Sequence, residues 1–274
     1  MPTVAPLRPD PTDTRLPIGD RLRAWRQRRR LSQLDLALDA EVSQRHLSFV
    51  ESGRAAPSRE MVLRLAATLE VPLRERNALL LAAGYAPLYP EQPLDAPAMA
   101  AAREAVERVL RAHMPFPAMA VDRHWNIVAA NDVLAPLLAG VEDPSLLAPP
   151  VNGVRLSLHP RGLAPRIANL PRWRAHILER LRRQVDASGD RGLAALLEEV
   201  RSFGGDEAHA GPSAAGAADD GIAVPLELDT PRGRLSLIGT TMVFGTPVEV
   251  TLSELMVEAF YPADAETAAL LAGR

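Results

Sequence analysis

Residues 42–54 read VSQRHLSFVESGR and place glutamine, arginine, histidine, serine and phenylalanine where most surface helices carry glutamate and lysine. Glutamine and arginine side chains can hydrogen-bond the edges of bases in the major groove, and a phenylalanine can touch a thymine methyl. With Leu47 and Val50 turned inward at helical spacing, Gln44, Arg45, Ser48 and Phe49 share the outward face. The chemistry on offer is recognition of double-stranded DNA rather than a reaction. Reactions leave other traces, and those are missing. The six histidines, at positions 46, 113, 124, 159, 176 and 209, form no HxxxH or HExxH spacing. There is no GxSxG, no P-loop and no GxGxxG. The absence of cysteine removes thiolate nucleophiles, disulfides and cysteine zinc sites. The expectation is a protein with no catalytic residues, no metal at His159 or His176, and no cofactor.

The elements that must position the 42–54 segment are helical. Residues 19–30 carry Leu22 and Trp25 on one face, with Arg23, Arg26 and the run 28–30 around it. That run could equally be a solvated helix end. Ser32 suits the N-cap of a short helix, QLDLALDA, whose Leu34, Ala37 and Leu38 follow an i, i+3, i+4 stripe. Glu41 and Val42 make a tight turn, and Ser43 caps the next helix. Ser58 caps a helix ending near Glu70, Pro72 opens another through Ala83, and Gly84 stops it.

This spacing is that of a helix-turn-helix. LSQLDLALDAEVSQRHLSFVESGRAAPS, within about 65 residues, resembles the XRE/Cro-type DNA-binding domain. The resemblance implies a five-helix, all-α unit with residues 43–52 as the recognition helix. It implies that Gln33 meets a phosphate through its amide and the helix N-terminus, and that Arg54 does the same just after the recognition helix. Arg26 and Glu51 then tie the first helix to the third. The DNA-binding set is Gln33, Ser43, Gln44, Arg45, Ser48, Phe49 and Arg54. Phe49 could instead pack against a neighbouring helix.

Charge supports a division of labour. Residues 19–85 hold 12 arginines against 8 acidic residues, whereas the rest of the 274-residue chain holds 19 against 26. Four prolines in APLYPEQPLDAPA mark a linker. The organisation expected is a flexible tail at 1–17, the DNA-binding unit at 18–85, a proline-rich linker at 86–99 and a second domain at 100–274. No apolar run reaches the roughly 20 residues of a spanning helix, and the N-terminus has no apolar core. A cytoplasmic protein without membrane contact is expected.

The second domain mixes helices (100–113, 171–184, 193–203) with strand-like runs (118–121, 127–130, 223–228, 235–238, 242–244, 248–251). Residues 204–221 are low-complexity in sequence, and a surface loop is expected there. AVDRHWNIVAANDVLAPLL reads as strand, turn, strand and then a helix that Asn131-Asp132 can cap, an opening that resembles PAS domains. The run ADAET near the end reads as a helix start. LSLHPRGLAPRIANLPRWRAHILERLRR, PLELDTPRGRLSLIGTT and FGTPVEVTLSELMVEAFYPADAETAALL resemble the MmyB-like ligand-binding domain that follows XRE-type domains in bacterial regulators. The resemblance implies an α+β, PAS-like domain with a single antiparallel sheet, holding an apolar small molecule such as a fatty acid. Leu134, Leu138, Leu158, Ile167, Trp173, Ile177, Leu181, Met242 and Phe244 are candidate pocket-lining positions, and Arg166 or His159 could meet a carboxylate head. Each apolar position could equally be plain core. The whole is expected to be a homodimeric transcription regulator with an apolar effector. The rivals are a second domain that only dimerises or binds proteins, and an enzyme with a DNA-binding domain attached.

Overall fold

The computed structural model describes residues 16–204 and 223–273, and these form two compact units that divide principally between Glu91 and Gln92. The expected tail at 1–17 and loop at 204–221 fall almost wholly outside the described residues.

The first unit is built from helices α1 (Ile18–Arg28), α2 (Gln33–Asp39), α3 (Gln44–Glu51), α4 (Arg59–Thr68) and α5 (Leu73–Ala82). Ser32 caps α2 in a reciprocal box with Asp35, Ser43 accepts the His46 N–H, and Ser58 accepts the Met61 N–H. All five helices end alike. The N–H groups of Leu31, Val42, Arg54, Val71 and Tyr85 reach back to the carbonyls of Arg26, Ala37, Phe49, Ala66 and Leu80. The residue before each donor, Arg30, Glu41, Gly53, Glu70 or Gly84, has positive φ. These are Schellman closures, and they turn the chain within a few residues.

At three of those left-handed positions a side chain stands where glycine is easiest. Exposed Glu70, at φ 48°, has a Cβ that disfavours this conformation. Glu70→Gly is therefore expected to stabilise the unit by about 0.5–1 kcal/mol, seen as a higher melting temperature. A melting temperature unchanged or lower would show that the closure carries no strain.

Leu22, Trp25, Leu36, Leu47, Val50, Val62, Leu65, Leu69, Leu79 and Leu80 form the fully buried core. The stripe expected on α2 is corrected here. Leu34 and Leu38 are 49% and 67% exposed, and Leu36, Ala37 and Ala40 face the core instead. The helix is rotated so that Gln33 faces Glu51 of α3. The α1 backbone lies directly on the end of α3, because a Cβ at Gly19 would run into the carbonyl oxygens of Val50 and Glu51.

The second unit holds α6 (Ala100–Ala112), β1 (Ala118–Val121), β2 (Ile127–Ala130), α7 (Leu134–Leu137), α8 (Gly153–Leu158), α9 (Leu170–Ser188), α10 (Arg191–Ser202), β3 (Leu226–Thr230), β4 (Gly233–Val243), α11 (Val250–Ser253), β5 (Met256–Pro262) and α12 (Ala265–Leu271). The strands make one five-stranded sheet in the order β2-β1-β5-β4-β3, antiparallel throughout. The runs expected at 235–238 and 242–244 are a single strand, because Gly239, Thr240 and Thr241 between them pair with Phe260, Ala259 and Glu258. The strand expected at 248–251 is the short helix α11. The strand that fills the centre of the sheet is β5, which was not expected. Asn131 does not cap a helix. It is buried, accepts the Ala118 N–H and donates to the carbonyls of Leu110 and Phe116, tying β1 to the end of α6. Asp264 does cap α12.

The period of two along the strands gives the sheet two different faces. Ala118, Ala120, Val257 and Ala259 pack with Val106 and Leu110 of α6. Met119, Leu237, Glu258 and Phe260 point the other way, toward α8 and α9.

Candidate functional site

The recognition segment is fixed from beneath. Leu47 and Val50 are fully buried, and the Glu51 side chain is closed off from solvent at the end of α3. Glu51 accepts both Nε and Nη2 of Arg26, at 2.7 and 2.8 Å, and the Gln33 amide at 2.8 Å. The Arg23 guanidinium lies 3.6 Å from the same carboxylate and donates to the Glu51 carbonyl at 2.6 Å. Burial pushes the Glu51 carboxyl upward, but hydrogen bonds from Arg26 and Gln33 and the charges of Arg26 and Arg23 outweigh it and hold its pKa below the usual value. One carboxylate thus ties α1 and α2 to α3, which is the tie the Arg26–Glu51 resemblance implies.

With that face locked, Gln44, Arg45 and His46 are exposed, and Ser48 and Phe49 are half-buried beside them. The Arg45 guanidinium stands 5.4 Å from the Phe49 ring centroid, a cation–π contact that holds both side chains on the outer surface. Arg54 is exposed just beyond Gly53. Gln33 is half-buried, and its amide gives one hydrogen bond to Glu51. In the 28–30 run, Arg29 is no solvated end, because it donates to the carbonyls of Leu69 and Glu70 at the end of α4.

The second unit encloses a cavity of about 280 Å³ between the sheet and helices α8 and α9. Met119, Ile127, Leu237 and Phe260 supply its sheet side, Leu156, Trp173 and Ile177 its helix side, and Leu134 and Leu138 a third wall. Trp125 lines it from an unusual backbone position, at φ 68° in the β1–β2 turn. Asp122 imposes that turn: its carboxylate accepts the backbone N–H groups of His124 and Asn126, and the Asn126 side-chain amide.

Four polar side chains interrupt the apolar wall. Arg180 of α9 donates to both carboxylate oxygens of Glu258, at 2.8 and 2.5 Å, and to the Thr241 hydroxyl at 2.6 Å. Its guanidinium lies 4.5 Å from the Trp125 ring centroid. His176, one turn earlier on α9, is held below its ordinary pKa by burial, with the positive charges of Arg180 and Arg183 adding and Glu258 opposing. Ser157 accepts the Trp173 indole N–H at 2.9 Å.

Of the residues expected to line a pocket, Leu134, Leu138, Trp173 and Ile177 do so. Leu158, Ile167 and Leu181 are buried core outside the cavity lining. Met242 is 38% exposed at the end of β4, and Phe244 packs on the α6 side of the sheet. Neither candidate for a carboxylate head reaches the cavity. His159 stacks edge-on against Phe203, and Arg166 is spent on the carbonyls of Leu137, Ala139 and Asp229. Arg180, Glu258, His176 and Trp125 line the cavity without being among the positions expected there. The available signal was the α9 stripe Trp173, His176, Ile177, Arg180, which continues the helical period of two expected residues. Among the described residues there is no group of three histidine or acidic side chains placed to hold a metal, and no helix long and apolar enough to cross a membrane.

Compared with known families, residues 102–272 match the MmyB-like transcription regulator ligand binding domain, and residues 22–76 match a helix-turn-helix domain. No curated protein matches the chain.

Proposed function

Since the chain belongs to the MmyB-like transcription regulators, with a helix-turn-helix unit ahead of that family's ligand-binding domain, we propose that α3 reads an operator and that an apolar small molecule in the cavity alters DNA affinity. The observation that carries the effector half is the cavity itself. Unfilled apolar space costs roughly 24 cal/mol per Å³, so 280 Å³ left empty would cost on the order of 7 kcal/mol, comparable with the whole stability of a small domain. A module that only dimerises has no reason to carry that cost. The aliphatic walls suit an acyl chain, and a fatty acid is the ligand class the family resemblance implies.

The DNA half rests on the exposed Gln44 and Arg45 of a helix clamped from behind. Helix-turn-helix proteins read two half-sites about 34–36 Å apart, so the working form is a homodimer, placed in the bacterial cytoplasm. The effector acts by binding the DNA-competent and incompetent states with different affinities, and DNA must alter ligand affinity by the same factor.

The test is to select duplexes from a random pool with the full-length protein, then to titrate the selected operator with and without saturating ligand extracted from the purified protein. A palindromic site whose affinity changes about fivefold or more is the expected result. Failure to enrich any duplex would remove the DNA reading. An unchanged Kd with ligand demonstrably bound would remove the effector reading.

A further inference from the structure

We propose that the cavity selects an uncharged amphiphile, one with a short apolar body and a hydroxyl, ester or amide end, and disfavours the carboxylate form of an acyl chain. This rests on the reading of the cavity as an effector site and departs from the fatty acid that the family resemblance implies. Among the described residues, Arg180 is the sole Arg or Lys in the cavity lining. Its fork is already occupied: Glu258 takes two hydrogen bonds, Thr241 a third, and Trp125 lies against it. The Glu258 side chain is only 4% exposed, and Thr241 also donates to it at 3.0 Å.

A ligand carboxylate has two ways to reach Arg180, and both are unfavourable. It can displace Glu258, which leaves a buried carboxylate without its partner. Or it can settle beside Glu258, which brings two carboxylates together in a mostly apolar space. An uncharged head meets neither obstacle. It finds hydrogen-bonding groups that need no counter-charge, namely the His176 ring and the Ser157 hydroxyl, which accepts from Trp173 and can still donate. Burial and the charges of Arg180 and Arg183 favour the neutral ring of His176 against the opposing Glu258, and a neutral ring offers one donor and one acceptor nitrogen. The volume bounds the apolar body and is indifferent to the head: at the ~30 Å³ that a water occupies in the liquid, 280 Å³ holds roughly nine heavy atoms, which is a medium-length chain or a single ring.

The experiment is calorimetric titration of the full-length wild-type protein with 1-octanol and with octanoate, near neutral pH and below the concentrations at which either aggregates. Octanol is expected to bind about tenfold more tightly, or better. In Glu258→Gln, where the repelling charge is gone and Arg180 keeps its own, octanoate affinity should rise by about tenfold while octanol changes little. Tighter binding of octanoate by the wild type overturns this proposal and leaves the effector site standing. Equal binding of the two overturns it as well. No binding of either probe overturns both readings. An octanoate affinity unmoved in Glu258→Gln removes Glu258 as the selecting group, and the wild-type comparison decides the rest even if that variant does not fold.

Discussion

Glu51→Ala is expected to lower the stability of the N-terminal unit by about 3–5 kcal/mol, more than any substitution on the outer face of α3. Glu51 is closed off from solvent and receives two hydrogen bonds from Arg26, one from Gln33, and the charge of Arg23. Removing it leaves the largely buried Arg26 without its counter-charge and frees the Gln33 amide. The readout is hydrogen exchange of the α1–α3 amides in the full-length protein, since two units need not unfold together. Protection in α1–α3 equal to that of the wild type would show that the carboxylate holds nothing. Replacing Arg26 and Glu51 together by methionine and leucine should recover much of the loss, because no charge is then stranded. The pH dependence follows with a definite sign. The pKa of Glu51 is depressed in the folded state below its ordinary 4.5, so its contribution is fully present above about 4.5 and is lost as pH falls through the folded value. The N-terminal unit of the wild type should loosen in mild acid, and Glu51→Gln should flatten that dependence.

The same residue shows what could be read from the sequence and what could not. Caps and turns are local chemistry: Ser32, Ser43, Ser58 and Pro72 each start a helix where they stand, and Gly84 ends one. The rotation of α2 is not local. Helical spacing fits Leu34, Ala37 and Leu38 (i, i+3, i+4) and equally Leu36, Ala37 and Ala40 (i, i+1, i+4), and the second set is the one that goes with Gln33 reaching Glu51 eighteen positions away. In the second unit β1 and β2 are legible because a hairpin is also local. Strand β5 is not, because MVEAFYP places a glutamate amid apolar residues where a two-sided buried strand reads as a continuous apolar run. That glutamate is the one whose partner, Arg180, comes from a helix 78 positions earlier. The polar end of the cavity therefore exists only through a long-range pairing. Arg166 and His159 are expected there because each could meet a carboxylate, whereas the fold turns them onto carbonyls and onto Phe203.

Arg45→Ala is expected to weaken operator binding by ~1–3 kcal/mol, roughly 5- to 150-fold, and to relax preference at one base position of each half-site. The argument is geometric. Leu47, Val50 and Glu51 fix the rotation of α3 from below, and among the described residues Arg45 has no ion pair and stands over the Phe49 ring. A guanidinium held over an aromatic ring on the outward face is pre-aimed, so less side-chain entropy is lost when it meets a guanine edge. Phe49→Ala should then weaken binding through two losses at once, the apolar contact with the base and the restraint on Arg45, and the two single effects should not add in the double variant. Arg54 provides the contrast. It stands exposed past the end of α3, suited to a phosphate, so Arg54→Ala should weaken all duplexes alike and lower the salt slope by about one. If Arg45→Ala lowers affinity for operator and random duplex equally and shifts the salt slope as Arg54→Ala does, then Arg45 touches only the backbone. Gln44, Ser48 and Phe49 would then be the side chains left on that face to read the sequence.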